Sequence, residues 1–205
     1  MFTITYCILG ITCLVSFAAF GNAGLKEKLL FWPPAVSMKH QYYRFVTCGL
    51  VHADFIHLLF NMFTLYFFGR GLELFYQGEL GLQNYYYPIL YVTALVVSNI
   101  PSYLKHRDDY NYRSLGASGA VCAVLFAVIL IRPWARIGLY GIPMPALLYA
   151  VLFMVYSIVM SRRGGDNVNH DAHLWGALYG VLFTIAAHPD IVNHFINEMH
   201  HPRME

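Results

Sequence analysis

Six long apolar stretches with almost no charged residues dominate this chain of 205 residues. They are residues 3–20, 54–71, 84–103, 115–131, 144–161 and 172–187. Each has 16 to 20 residues, close to the ~20 that an α-helix needs to cross a bilayer. Hydrophobic residues make up 58% of the chain and charged residues only 12%, too few charges to cover a soluble domain. The pattern predicts an all-α polytopic membrane protein, with residues 1–205 forming one domain of six transmembrane helices.

The same composition excludes other classes of protein. Intrinsic disorder requires low hydrophobicity, and a formal net charge of +2 offers no basic patch to nucleic acid. The four cysteines are Cys7, Cys13, Cys48 and Cys122, and no CxxC is present. We therefore expect buried thiols and neither a disulfide framework nor a zinc site. Residues 3–20 follow no Lys or Arg and are too long for a typical signal-peptide core, which favours a first membrane helix.

The connections between the stretches are uneven. Residues 21–53 are long and rich in aromatic residues, which prefer the membrane interface. Gly164-Gly165 indicates mobility in the connection before the sixth stretch, and residues 194–205 are expected to form a solvated tail. Nine of the thirteen Lys and Arg residues fall in the first, third and fifth connections. The positive-inside rule places those connections in the cytoplasm.

Polar residues lie near the start of each even-numbered stretch, and such groups inside a membrane indicate function. His57 and Asn61 are four residues apart and share one helix face in the second stretch. Ser118 lies near the start of the fourth stretch and His173 near the start of the sixth. Because even-numbered helices start on the same side of the membrane, these four side chains are predicted to converge on one cavity.

These residue types are the ones that acyl transfer needs. Histidine is the usual base that activates a serine nucleophile, so Ser118 and His173 are the candidate catalytic pair. His57, Asn61 and the backbone N–H groups at Ser118 are candidate donors to an oxyanion. Asp171 lies only two residues before His173, which does not favour it as a third member of the site. The pattern therefore favours a Ser–His dyad that needs no cofactor and no metal.

Small residues lie where the fourth and sixth helices would touch. They repeat every four positions, as Gly119, Ala123 and Ala127 in the fourth stretch and as Gly176 and Gly180 in the sixth. Small side chains let membrane helices approach closely, although such stripes are also ordinary membrane packing. A close contact would bring Ser118 and His173 within hydrogen-bond distance.

Other interpretations of these motifs stay open. His57 and Asn61 would also serve as hydrogen-bonded contacts between helices, and Ser118 as a small packing residue. A metal site would draw on four histidines, His52, His57, His170 and His173. HExxH is absent, however, and no Cys or carboxylate completes a good set. A proton-coupled transporter would not need Ser118, and no internal repeat of matched, glycine-broken helices is visible.

Three motifs in this order resemble the rhomboid family of intramembrane serine proteases, over essentially the whole chain. HxxxN is residues 57–61 with His52 upstream, GxSG is residues 116–119, and AHxxGxxxG is residues 172–180. GxSG alone also occurs in soluble hydrolases, so the ordered set is what is typical of the family. The resemblance implies a six-helix rhomboid-like bundle that hydrolyses peptide bonds in or near transmembrane segments. A second possibility is a non-catalytic relative that binds transmembrane helices for quality control or trafficking.

The resemblance also implies a role for each matching residue. Ser118 is the nucleophile, His173 the general base, and His57 and Asn61 line the oxyanion hole. The structural residues near the site are His52, Arg44, Gly116, Gly119, Gly176 and Gly180. Residues 21–53 correspond to the family's lateral loop, which Arg44 anchors after Tyr43 in place of the usual Trp. Glu73 fits the family's acidic position at the end of the second helix.

The resemblance has further consequences for position 122, orientation and partners. Cys122 stands where family members often have an aromatic residue packed on the base, so ring support for His173 must come from elsewhere or be weaker. The common bacterial form has its N-terminus in the cytoplasm, opposite to the orientation that the charges favour. The expected partners are membrane lipid and the transmembrane segments of substrates, with no nucleic acid and no metal. The expected location is a bacterial plasma membrane.

Overall fold

The computed structural model describes residues 3–139, 142–163 and 168–202, and this part of the chain is predominantly helical. Gly164 and Gly165, which were predicted to make a loop mobile, lie outside the described residues. The helices are α1 (Ile4–Phe20), α2 (Ala23–Leu29), α3 (Pro33–Lys39), α4 (Arg44–Thr47), α5 (Phe55–Glu79), α6 (Tyr86–His106), α7 (Ser118–Ile131), α8 (Ala146–Arg163), α9 (His170–Ala187) and α10 (Ile191–His200). An antiparallel hairpin, β1 (Arg136–Leu139) and β2 (Ile142–Pro145), precedes α8 and was not predicted.

Among the residues that the structure describes, three helices, α5, α6 and α8, are long and apolar enough to cross a membrane. The helices α1 and α7 are apolar but shorter, and the count of six spans stays a prediction. Helix α8 buries only Ala146, Ala150 and Ser157 among its side chains. Large apolar side chains on its other faces, such as Val151 and Val155, are more than half exposed. A surface of this kind suits lipid, and the chain is accordingly an integral membrane protein.

Helix α7 lies at the centre of the molecule. All of its residues from Gly119 to Ile131 are buried, with α6 and α9 packed beside it. Its 14 residues rise about 21 Å, less than the ~30 Å hydrocarbon core of a bilayer. Such a short helix is acceptable because protein, and not lipid, surrounds its polar N-terminal end.

Glycines allow α7 and α9 to touch through their backbones. A Cβ atom added at Gly176 would collide with the carbonyl group of Gly119, and one at Gly180 would collide with that of Ala123. Gly119 has no room for a side chain either, because Ser98 of α6 lies against it. The small residues thus let three helices converge next to Ser118.

Helix α5 continues to Glu79, eight residues beyond the predicted end at residue 71. Glu73 does not end the helix but is buried within it. Its carboxylate accepts hydrogen bonds from the backbone N–H groups of Ile4 and Thr5, at 2.8 and 3.2 Å. A carboxylate is stabilised at a helix N-terminus. Glu73 therefore connects the middle of α5 to the start of α1.

Residues 21–53 contain three short α-helices, α2 to α4, and a 3-10 turn at Cys48–Leu50. Arg44 holds this segment together. This side chain is only 5% exposed. Its Nη1 donates to the carbonyl oxygens of Glu27 and Leu30, at 2.8 and 2.6 Å, and its Nε donates to Gln41. Arg44 therefore satisfies carbonyl groups at the end of α2 that the helix itself cannot pair.

The predicted solvated tail over residues 194–205 was wrong for residues 194–200, which belong to the helix α10. Residues 203–205 lie outside the described residues. Ile191 is almost completely buried. His194 Nε2 lies 2.8 Å from the carbonyl oxygen of Ile131, and Trp134 donates to the carbonyl oxygen of Glu198. The apolar face of α10 thus packs under the end of α7.

Candidate active site

Ser118 is the first residue of α7, and the turn before it depends on Gly116. Gly116 has a positive φ of 113°, a conformation that strongly favours glycine. A Cβ atom there would also lie 2.7 Å from the ring of His57. The Gly116 N–H donates to the carbonyl oxygen of Cys48 at 2.9 Å, which ties the turn to the lateral loop.

The structure places Ser118 Oγ 2.8 Å from His173 Nε2, a hydrogen-bond distance. His173 lies in the first turn of α9, which begins at His170, two residues before the predicted start of the sixth span. Asn169 caps this helix by accepting from the N–H of Ala172 at 3.0 Å. A serine and a histidine in this arrangement can pass a proton from Oγ to Nε2.

The ring of His173 lies between two other rings, of which the sequence analysis named His170 but not Phe153. Phe153 of α8 lies with its ring centroid 6.0 Å from that of His173, and the His170 centroid lies at 5.6 Å. Phe153 itself packs against Phe126, one turn beyond Cys122 on α7. The aromatic support that Cys122 does not supply therefore comes from a neighbouring helix. The sequence offered no specific signal for it, because Phe153 is one aromatic residue within a uniformly apolar stretch.

His57 and Asn61 lie on the face of α5 that points toward Ser118. Asp54 caps α5 by accepting from the His57 N–H at 2.8 Å. The N–H of Ala53 donates to His57 Nδ1 at 3.5 Å, which leaves the ring proton on Nε2. Asn61 Nδ2 donates one hydrogen to the carbonyl oxygen of His57 at 2.9 Å and has a second one available. Both side chains can therefore donate hydrogen bonds into the space beside Ser118.

A single cavity of about 510 Å³ joins these groups. Its wall includes six of the residues that the sequence singled out, His57, Asn61, Gly116, Ser118, Gly119 and His173. Parts of the wall were not predicted, notably Ser98 and Asn99 of α6 and Ser114 and Asn169 in the segments before α7 and α9. Arg44, Gly176 and Gly180 are not part of this wall; they position the lateral loop and α9 as described above.

His52 lies behind the cavity wall and is completely buried. The N–H of Ala117 donates to its Nε2 at 3.4 Å, so Nδ1 carries the proton and donates to Ser16 Oγ at 2.9 Å. The Ser16 hydroxyl in turn donates to the carbonyl oxygen of Leu50 at 2.8 Å. Burial lowers the pKa of His52 to about 3, so the ring is neutral and joins α1 to the turn that precedes Ser118.

Asp171 turns away from the dyad. It accepts a short hydrogen bond from Ser161 of α8 and pairs with Lys105 at 3.4 Å. Within residues 3–139, 142–163 and 168–202, no three His, Cys, Asp or Glu side chains are grouped so that they could hold a metal ion. The polar groups that the cavity wall brings close to Ser118 include the imidazole rings of His57 and His173 and the amide of Asn61.

Comparison with protein families identifies a Rhomboid domain over residues 39–190. Three similar proteins are "RHOMBOID-like protein 12, mitochondrial" of Arabidopsis thaliana, "Putative rhomboid protease YdcA" of Bacillus subtilis (strain 168) and "Presenilin-associated rhomboid-like protein, mitochondrial" of Homo sapiens. Their identities to this chain are 32%, 31% and 31% over 67%, 70% and 67% of its length. The chain spans 44%, 66% and 36% of the length of these relatives, respectively.

Proposed function

Because this chain belongs to the rhomboid family, we propose that it is an intramembrane serine endopeptidase. It hydrolyses peptide bonds in or near the transmembrane segments of membrane-protein substrates. The observation on which this rests is the 2.8 Å contact between Ser118 Oγ and His173 Nε2 at the wall of the cavity. The His57 and Asn61 donors on the same wall support it further.

The reaction begins when Ser118 Oγ attacks the carbonyl carbon of the substrate and His173 Nε2 takes the hydroxyl proton. The negative charge that develops on the carbonyl oxygen is stabilised by the Ser118 N–H, Asn61 Nδ2 and His57 Nε2. The C–N bond then breaks, His173 returns its proton to the leaving amine, and an ester to Ser118 remains. Water, deprotonated by His173, attacks this ester and releases the new carboxyl end.

The conformation of the substrate backbone limits which peptide bonds react. A backbone that is held in a helix has its carbonyl groups paired, so a substrate must unwind before its carbon reaches Ser118. We therefore expect cleavage next to helix-weakening residues.

The location in a bacterial plasma membrane stays a prediction, because the relatives include mitochondrial proteins of a plant and an animal as well as a bacterial protein.

The test is to incubate the purified full chain, in detergent, with a single-span reporter protein and to follow cleavage. We expect cleavage by the wild-type chain and none by Ser118→Ala, which removes one hydroxyl from a tightly packed helix and should keep the same unfolding temperature. A fluorophosphonate probe should label Ser118, and His173→Ala should block the labelling.

Two outcomes would contradict the proposal. Cleavage by Ser118→Ala at the wild-type rate would assign the activity to another residue or to a contaminant. Binding of the reporter with neither cleavage nor probe labelling would favour a non-catalytic protein that binds transmembrane helices.

A further inference from the structure

A second hydrogen bond, beside that between Ser118 and His173, joins the segments that lead into α7 and α9. Asn169 Nδ2 lies 3.2 Å from Ser114 Oγ, and each of these residues lies four positions before its counterpart in the dyad. Both hydrogen bonds therefore join residues that are 55 positions apart. Resting on the proposed function, we propose that Asn169 and Ser114 are a positioning pair that sets the distance between Ser118 Oγ and His173 Nε2.

The amide of Asn169 is fixed by partners from three segments. Its Oδ1 accepts from the Ala172 N–H of α9 and from Ser102 Oγ of α6, each at 3.0 Å. Ser102 is only 1% exposed, so this contact is inside the protein. Because both acceptor positions of Oδ1 are occupied, the amide group has one orientation, in which Nδ2 points to Ser114.

Ser114 is equally well fixed on its side. Its backbone pairs with that of Phe31 in the lateral loop through two hydrogen bonds of 2.8 and 3.0 Å. Phe31 is completely buried, so this pairing attaches the backbone of Ser114 to a segment inside the protein. The bond to Asn169 thus connects the fixed segment that leads to Ser118 with the cap of the helix that carries His173.

The second hydrogen bond matters because the distance between Ser118 Oγ and His173 Nε2 must stay within narrow limits. Proton transfer requires a heavy-atom separation of about 2.6–3.2 Å, and a misplacement of about 1 Å can cost ~10²-fold in rate. The backbone contacts at Gly176 and Gly180 fix α7 and α9 on the side of the dyad that leads into the bundle. The Asn169–Ser114 bond fixes them on the opposite side, so the dyad lies between two constraints.

The experiment measures how fast, and to what final extent, a small fluorophosphonate probe labels Ser118 in the purified full chain in detergent. Ser114→Ala removes only the Oγ. Because one neutral hydrogen bond is lost, we expect the labelling rate constant to fall about 3- to 10-fold while the final extent stays the same. Ser114→Thr keeps the hydroxyl and should restore most of the rate. Asn169→Ala should slow labelling at least as much, and adding Ser114→Ala to it should slow it no further.

The matched control is Asn22→Ala. Asn22 caps α2 by accepting from the Leu25 N–H at 2.9 Å, and it is exposed. This variant loses a helix cap without touching the dyad, so its rate constant should equal that of the wild type. A small probe limits contact with the cavity wall, so a change in rate reports on the dyad and not on substrate docking.

Each remaining outcome overturns the inference. Ser114→Ala that labels at the wild-type rate would show that the bond does not position the dyad. A lower final extent at an unchanged rate constant would show a role in folding alone. A wild-type chain whose Ser118 is not labelled would overturn the proposed function and this inference with it, whereas a labelled wild type with unaffected variants would overturn the inference only.

Discussion

The ring of Phe153 lies 6.0 Å from that of His173, centroid to centroid, with the two planes inclined by 32°. Phe153 belongs to α8, the helix with the fewest buried side chains among the long ones. The base of the proposed dyad is therefore supported by a helix at the edge of the bundle. Movement of α8 would be transmitted to the orientation of the His173 imidazole.

We expect Phe153→Ala to lower the rate of reaction at Ser118. An aromatic pair contributes ~0.5–1.5 kcal/mol beyond its buried area, so the labelling rate constant should fall about 2- to 10-fold as His173 samples other orientations. Leu152→Ala is the control, because Leu152 is adjacent on α8 and half exposed. Equal rates for the two variants would show that Phe153 does not orient the base.

Helical geometry explains why much of the site could be predicted from the sequence. His57 and Asn61 lie on one face because they are four residues apart. The predicted reversal of the chain at each span put the starts of the second, fourth and sixth apolar stretches, which are α5, α7 and α9 in the structure, on one side. The glycines were predictable too, since small residues every four positions form a continuous strip on a helix. In the structure these relationships bring the predicted residues around one cavity.

The parts that were missed depend on contacts that an apolar sequence does not specify. In lipid, the outer surface of a helix is as apolar as its inner one, so Phe153 could not be distinguished from the exposed Val151 or Val155. The resemblance placed Glu73 at a helix end, whereas its partner on α1 is 69 positions away in the sequence and could not be inferred from it. By contrast, Asn169 before α9 was a recognisable N-cap residue, and sequence reasoning could have found it.

The contact between α7 and α9 leads to a second prediction. Gly180→Ala should lower the unfolding temperature, because its Cβ would collide with the carbonyl group of Ala123, and overpacking of this kind costs ~1–3 kcal/mol. Gly10→Ala in α1 is the control, since Gly10 is exposed and a Cβ there meets nothing within 4 Å. Alanine is the better helix former by up to ~1 kcal/mol, so this variant should be as stable as the wild type or slightly more so. Equal destabilisation by both substitutions, in thermal unfolding in detergent, would contradict the close contact.

A third prediction concerns His52 and pH. Burial lowers its pKa to about 3 in the folded protein, whereas an unfolded histidine titrates near ~6.5. As the pH falls below ~6.5, His52 becomes protonated in the unfolded state but stays neutral in the folded state. The free energy of unfolding therefore declines by up to ~1.4 kcal/mol per pH unit until about pH 3. His52→Asn should remove this contribution and flatten the dependence of unfolding temperature on pH.

The control for His52 is His40→Asn. His40 is exposed and lies at the left-handed end of α3, a conformation that asparagine also accepts. This variant should keep the wild-type slope between about pH 5 and 7. Parallel curves for His52→Asn and the wild type would mean that His52 is not neutral in the folded protein.

The last prediction separates a catalytic role of Asn61 from a structural one. If its second amide hydrogen donates to the oxyanion, it acts on the transition state and not on substrate docking. Asn61→Ala should then lower kcat by ~10²–10³-fold while KM changes little. Thr64→Ala is the control, because Thr64 on the same helix also bonds the carbonyl group one turn earlier, at 2.8 Å, but is half-buried outside the cavity wall. If Asn61 only held the helix together, the variant would have a lower unfolding temperature with normal kcat per folded molecule, so both quantities should be measured on the same preparation.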